Sequence, residues 1–343
     1  MDWMSQLRKM EGAVDTEYDF YAPQNVIRSS SPSLNWVFGR GNGLPFGLGM
    51  VIFGPAKGGK SLVSNAFVAG LHASHPDAIA IKYNTEMRDG AQCSQKDLAK
   101  WKIDPNRYSA FDVNRPELIF DKITQDIEPM IKAGMPLKLI IIDSLNGILG
   151  RMDAKNESIL DFTVGDHANT IGIGLKRLLD IIRVNKIALI CTAHIRANID
   201  IVGNPKYAPK TKMAGGHAAK HFFEYYLEAQ RDNDKESKIL DEKIKDLKDN
   251  SEIIGHKIWC KMTESSVGVA GRTGRFAIEY EKGLVGQEEE IYELSKNLNI
   301  VERPNNRTYI FGANKFNSKE EFMTAIKEDD KLRKELLNLI YSK

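Results

Sequence analysis

Cysteine is scarce in this sequence. There are three in 343 residues, Cys93, Cys191 and Cys260, far apart and with no CxxC pair. An odd, scattered set excludes a disulfide framework and a zinc ribbon and points to a reducing cytosol. No apolar run approaches the roughly 18 residues of a membrane span, so no membrane partner is expected. The opening residues, MDWMSQLRKMEG, carry acids and no apolar stretch, so no signal peptide is expected. Neither sign of charge is in excess: 48 Lys and Arg face 46 Asp and Glu, for a formal net charge of +2. That excludes a uniformly basic nucleic-acid binder but not a local basic groove. Repeats of 20–50 residues and low-complexity linkers are also absent. With its glycines counted, the apolar share is about one half, the globular norm. The length suggests about two domains and enough core to fold without staples.

From Val26 onward, short apolar runs alternate with helical stretches. The runs are Met50–Gly54, Ala78–Asn84, Lys138–Asp143 and Lys186–Thr192; the helical stretches are Lys60–Ser74, Pro116–Gly134 and about Asp166–Asn185. Continuous apolar runs between helices imply a parallel sheet covered on both faces. Three closer strands follow, Phe223–Ala229, Gly255–Met262 and Gly274–Glu281, and predict an antiparallel or mixed extension of that sheet. Asp232–Glu252 is almost all Lys, Glu, Asp and Asn with a thin stripe of Leu240, Ile244 and Leu247, which predicts an exposed charged helical insertion. The expected organisation is an N-terminal arm over 1–24, a core over 25–285 and a small C-terminal α+β domain over 286–343. The arm is either a cap on its own core or a contact to a neighbouring subunit. The C-terminal part predicts a hairpin around Pro304–Asn306 and helices over Ser318–Lys327 and Asp330–Tyr341.

The segment Gly54-Pro55-Ala56-Lys57-Gly58-Gly59-Lys60-Ser61, with Leu62 after it, fits GxxxxGK[ST] between a strand and a helix. Glycines let successive backbone N–H groups turn inward around a phosphate, and the helix N-terminus adds partial positive charge. Lys60 can reach the outer phosphates, and Ser61 can place its hydroxyl on Mg²⁺. LKLIIIDS ends at Asp143, the candidate carboxylate for that metal. An apolar strand ending in Asp is common, so this assignment rests on its pairing with the loop. AIAIKYNTE ends at Glu86, at the carboxyl edge of a neighbouring strand, where ligands bind in open α/β sheets. Glu86 is the candidate general base, or an exposed Glu starting a loop. IALICTAHIR ends at His194, either a γ-phosphate sensor or a capping histidine. Past it, Ile195–Phe222 holds Arg196, Lys206, Lys210, Lys212 and Lys220 against Asp200, net +4, and its Gly and Pro residues predict no regular element. Such a loop suits a DNA backbone, or is simply solvated. A second loop, Leu149–Asp166, carries Arg151 and Lys155 but is net −2.

Taken in order, these motifs resemble the RecA/Rad51 recombinase family, most closely its tailed-phage branch. DFYAPQNVIRSSSPSLNWVFG looks like the lead-in to the core, GPAKGGKS the phosphate loop, HPDAIAIKYNTE the glutamate strand, and IIIDSLNGIL the Walker B strand with Ser144. ICTAHIR places His194 where bacterial members carry glutamine and phage members histidine. GNPKYAPKTKMAGGHAAKHF looks like the second DNA loop, closing in Gly215 and Gly216. The resemblance implies an α/β fold, a RecA-like P-loop ATPase core with a mostly parallel sheet, an antiparallel extension and helices on both faces. It implies ATP and Mg²⁺ as cofactors, catalytic roles for Lys60, Glu86 and His194, and filaments on single-stranded DNA that pair with homologous duplex. A single-strand-binding protein and a loading mediator are implied partners, and a cytoplasmic location, the host's if phage-encoded. Two interfacial lysines of bacterial relatives align here with Glu264 and Ser266, which leaves Lys261, Arg272 and Arg275 as candidates for charge donated across the interface. The rival reading is a hexameric RecA-fold helicase, disfavoured by the fifty or so residues before the phosphate loop. A third is an ATP-gated assembly protein without DNA, disfavoured by the basic loop.

Overall fold

The computed structural model describes residues 3–8, 10, 15–88, 90, 93–154, 165–197, 211–213, 222–232, 237–241 and 252–343. The strands in chain order are β1 Val26–Ile27, β2 Leu44–Pro45, β3 Gly49–Gly54, β4 Ile79–Asn84, β5 Tyr108–Asp112, β6 Leu137–Asp143, β7 Ala188–Ala197, β8 Thr211–Met213, β9 Tyr225–Arg231, β10 Lys238–Leu240, β11 Ile253–Ser265, β12 Thr273–Glu279, β13 Gly283–Val285, β14 Tyr309–Phe311 and β15 Asn314–Phe316. The helices are α1 Trp3–Leu7, α2 Pro32–Trp36, α3 Lys60–Ser74, α4 Gln95–Lys100, α5 Glu128–Lys132, α6 Asp166–Val184, α7 Gln287–Asn297, α8 Lys319–Glu328 and α9 Asp330–Ser342.

The main sheet runs β13-β12-β11-β9-β3-β7-β6-β4-β5, with β10 added beside β11 and β8 beside the end of β7. From β9 to β5 every pairing is parallel, and β11, β12 and β13 continue antiparallel. This is the expected α/β core. Side-chain alternation explains why the central strands read as unbroken apolar runs. Met50 and Ile52 face Val63, Phe67 and Leu71 of α3, while Val51 faces the other way. There it joins Ile171, Leu175 and Ile182 of α6, together with Ile119, Phe120 and Ile123. Both faces of the sheet are dry, so strand periodicity of two is hidden in the sequence.

Four local expectations differ from the structure. β5 and α4 were not foreseen; YSAFD alternates half-buried with exposed residues at the sheet edge, a weak signal. Pro116–Gly134 is helical but π-helical over Glu117–Asp121 and Ile123–Ile127 before α5. The basic segment after His194 is partly regular: β7 runs on to Ala197 and pairs with β8. The charged insertion is a strand where described, because Lys238–Leu240 pairs with the edge of β11. There the open backbone of β11 overrides the helix-like charge pattern; residues 233–236 and 242–251 lie outside the described residues.

The C-terminal part packs its own cluster, with Phe322 against Tyr292, Tyr309 and Phe316 and with Leu332, Leu336 and Ile340 from α9. The expected turn at Pro304–Asn306 is spanned by an antiparallel bridge between Glu302 and Ile310, and a second hairpin, β14–β15, follows. This part docks on α2. The buried Glu290 accepts hydrogen bonds from Ser31 Oγ at 2.5 Å and Ser33 N–H at 2.9 Å. Burial pushes its carboxyl up to about 8, against the opposing pull of those two serines. On the other flank Arg272 lies over the Trp36 ring, 4.5 Å from its centre. No helix among the described residues is long and apolar enough to cross a membrane.

Candidate nucleotide site

The phosphate loop joins β3 to α3, and α3 has no side-chain cap; Gly59 precedes it with φ 93°. The first-turn N–H groups are therefore left for an external acceptor. The loop is close-built: a Cβ on Gly54 would lie 2.0 Å from Ala229 O, and one on Gly58 2.9 Å from Pro55 O. Pro55 is half-buried, Ala56 and Lys57 are exposed, and Ser61 and Leu62 are half-buried at the start of α3.

Lys60 is 6% exposed. Its ammonium donates to Pro55 O at 2.8 Å and Gly54 O at 3.2 Å, and lies 3.3 Å from His194 Nδ1. Since Nδ1 must accept, the ring proton sits on Nε2, which donates to Glu86 Oε1 at 2.8 Å. Lys60, His194 and Glu86 thus form one connected chain. Burial lowers the Lys60 pKa despite the opposing influence of Asp143 and Glu86. Glu86 also accepts from Ser144 Oγ at 3.3 Å and pairs with Arg88 at 3.1 Å. Asn146 Oδ1 takes the His194 backbone N–H at 2.7 Å and so fixes where the end of β7 lies.

Asp143 is buried at the end of β6. Its Oδ1 accepts from Thr192 Oγ1 at 2.5 Å, and its Oδ2 lies 3.3 Å from Lys82 Nζ. Burial alone would raise its carboxyl. Lys82 and the hydroxyls of Thr192 and Ser61 outweigh that and hold it below the usual carboxylate range. The Asp143–Ser144 peptide is cis. Thr85 ties the neighbouring strands together, accepting from Ser144 N–H at 2.9 Å and donating to Ser144 O at 2.5 Å.

The residues fit the groups expected here. Lys60 is a buried cation with no carboxylate at ion-pair distance among the described residues. A buried ammonium without a counter-ion suits a phosphate. The Ser61 hydroxyl beside the Asp143 carboxylate supplies hard oxygen donors of the kind Mg²⁺ takes. Asn146 Nδ2 is a further buried donor with no hydrogen-bond partner among the described residues.

The structure therefore brings Lys60, Ser61, Glu86, Asp143 and His194 together. Lys82, Thr192, Asn146 and Thr85 were not foreseen. A lysine inside the otherwise apolar IAIKYN was the available signal for Lys82. On the DNA side, Arg196 and Lys212 stand opposite each other in the β7–β8 ladder. Arg151 is exposed, its backbone N–H held by Thr170 Oγ1 at 3.0 Å. Lys155, Lys206, Lys210, Gly215 and Gly216 lie outside the described residues. Of the interface candidates, Arg272 donates to Trp36 O at 3.2 Å and Lys343 O at 2.9 Å, Arg275 pairs with Asp232 at 3.2 Å, and Lys261 is half-buried mid-way along β11.

A family model of the RecA N-terminal domain matches residues 16–285. The chain belongs to the RecA/Rad51 family of recombinases. It is 25% identical over 320 residues to a protein named Protein RecA of Bacillus mycoides, covering 91% of this chain and 82% of that one. Protein RecA of Desulfovibrio desulfuricans is 24% identical over 310 residues, 89% and 77% of the two chains. Protein RecA of Phytoplasma mali is 28% identical over 285 residues, 81% and 74%. The RecA match spans the whole main sheet, from the lead-in before β1 to β13.

Proposed function

We propose that this chain is a DNA-dependent ATP hydrolase that forms helical filaments on single-stranded DNA and catalyses homologous pairing and strand exchange. The observation that carries the proposal is a continuity. His194 touches both Lys60 and Glu86, and from the next residue onward the same strand, β7, is paired with β8 in a basic ribbon holding Arg196 and Lys212. An anion that draws Lys60 away from His194 frees Nδ1, alters the Glu86 contact and bears directly on the strand that leads to the ribbon.

In this reading the backbone from Gly54 to Leu62 cradles the phosphates of ATP, and Lys60 neutralises the outermost ones. Ser61 and Asp143 would hold Mg²⁺, which would supply positive charge against the charge that develops on the phosphates. Glu86 positions and polarises the attacking water, and His194 and Ser144 hold its carboxylate in place. The ribbon, with Arg151 and Lys155 from the other loop and Lys206, Lys210, Gly215 and Gly216 beyond β7, contacts DNA phosphates without reading bases. Arg272 and Arg275 are engaged within the chain, which favours Lys261 for contact with a neighbour's nucleotide. The single-strand-binding protein, the loading mediator, the cytoplasmic location and the tailed-phage branch belong to the same proposal, the last resting on His194.

Electron microscopy with ATP and single-stranded DNA tests the reading. Open helical filaments support it; closed rings with directional unwinding favour the helicase, and ATP-driven assembly indifferent to DNA favours the third reading.

A further inference from the structure

A second cavity lies along the far half of α3, enclosed by α3, the segment Lys100–Arg107 and the turn between β12 and β13. Its volume is about 480 Å³, within the range of small-molecule sites. Residues 66 to 74 of α3 line it, about 9–21 Å beyond Lys60 at the helical rise, so it is separate from the phosphate loop. Its walls carry Arg28, Lys100, Lys102, Arg107 and Lys282, and no carboxylate is among its lining residues. Several of these cations have partners at the rim: Lys100 meets Asp97 and Glu281, Arg107 meets Asp104, and Lys282 meets Glu279. Lys102 pairs with no carboxylate among the described residues.

One buried polar group stands in its wall. His72 lines the cavity and is 6% exposed. Its Nδ1 accepts the Asp104 N–H at 3.1 Å, so Nε2 carries the ring proton. That Nε2–H meets no acceptor among the described residues. Burial and the nearby Arg107 lower the His72 pKa, which keeps this neutral donor form. The Nε2 atom itself has almost no accessible surface, so it lies behind the cavity wall and is not a contact point for a ligand. Ala66, Ala69, Ala73 and Leu284 supply apolar wall.

We propose that this cavity binds a small phosphate-bearing anion, independently of the nucleotide site. A free terminal phosphate, rather than the diester backbone of DNA, is favoured because the cations converge on a concave pocket of small-molecule size.

Inorganic pyrophosphate is the probe, titrated calorimetrically into the full chain with ADP and Mg²⁺ saturating the phosphate loop. One site per chain is expected. Lys102→Glu with Lys282→Glu, both exposed, should weaken it about tenfold. Lys60→Ala should leave it intact. Absence of binding, binding equal in the charge-reversed variant, or loss in Lys60→Ala would each overturn the proposal. Single-stranded DNA affinity, measured with an ATP analogue, should be unchanged in the charge-reversed variant; a parallel loss would assign the cavity to DNA and overturn the small anion. The pyrophosphate readout stands whether or not the chain is a recombinase.

Discussion

Replacing Lys82 by methionine removes the ammonium that lies 3.3 Å from the buried Asp143 carboxylate. The two side chains are 5% and 9% exposed, so neither is substantially screened by water. At an effective dielectric constant near 20, unit charges at that distance attract by about 5 kcal/mol. Breaking a buried pair from one side costs about 3–5 kcal/mol, because the remaining charge is left uncompensated. Lys82→Met should therefore lower unfolding stability by about that amount near neutral pH in urea titrations without nucleotide. Asp143→Asn should cost a similar amount. The double variant should lose less than the sum, with a coupling of about 1–3 kcal/mol, since a neutral buried pair needs no partner. The loss should also depend on pH. Asp143 is held below its ordinary value, so its contribution is present above the unfolded carboxylate pKa and fades as pH falls through the folded one. The deficit of Lys82→Met should shrink in acid for the same reason. Strict additivity in the cycle, or a deficit that grows in acid, would refute the reasoning.

Lys60→Ala should abolish ATP hydrolysis and weaken nucleotide binding, whereas Glu86→Gln should keep binding and lose about 10²–10⁴ in turnover, read by paired binding and steady-state assays. The buried Glu290 predicts the opposite pH trend from Asp143. Its pKa is raised to about 8, so between the unfolded carboxylate value and about 8 the folded state holds a proton that the unfolded state has lost. Stability should fall across that window by up to about 4–5 kcal/mol, and Glu290→Gln should flatten the profile in urea titrations at pH 5, 6.5 and 8. An unchanged slope in that variant would remove Glu290 from the account.

The phosphate loop, Glu86, Asp143 and His194 were legible because each ends an apolar run at the same edge of the sheet. That pattern needs no knowledge of tertiary contacts. Lys82 was not legible as a partner of Asp143, because the two meet only when β4 and β6 lie side by side. β5 and β10 were hidden for a related reason: edge strands bury little and are held by backbone pairing to a neighbour. The ribbon after His194 shows the same limit, since its glycines and prolines predict loop while pairing with the end of β7 fixes a short ladder. Arg272 looked available for a neighbouring protomer because the Trp36 ring beneath its guanidinium is 236 residues away in sequence.

The central claim is that nucleotide state reaches DNA through His194. Affinity for single-stranded DNA should be measured with a non-hydrolysable ATP analogue and with ADP, for the native chain and for His194→Ala, at two salt concentrations. The account predicts tight, salt-sensitive binding with the analogue, weaker binding with ADP, and a much smaller difference in His194→Ala. Equal affinity in both nucleotide states of the native chain would contradict it.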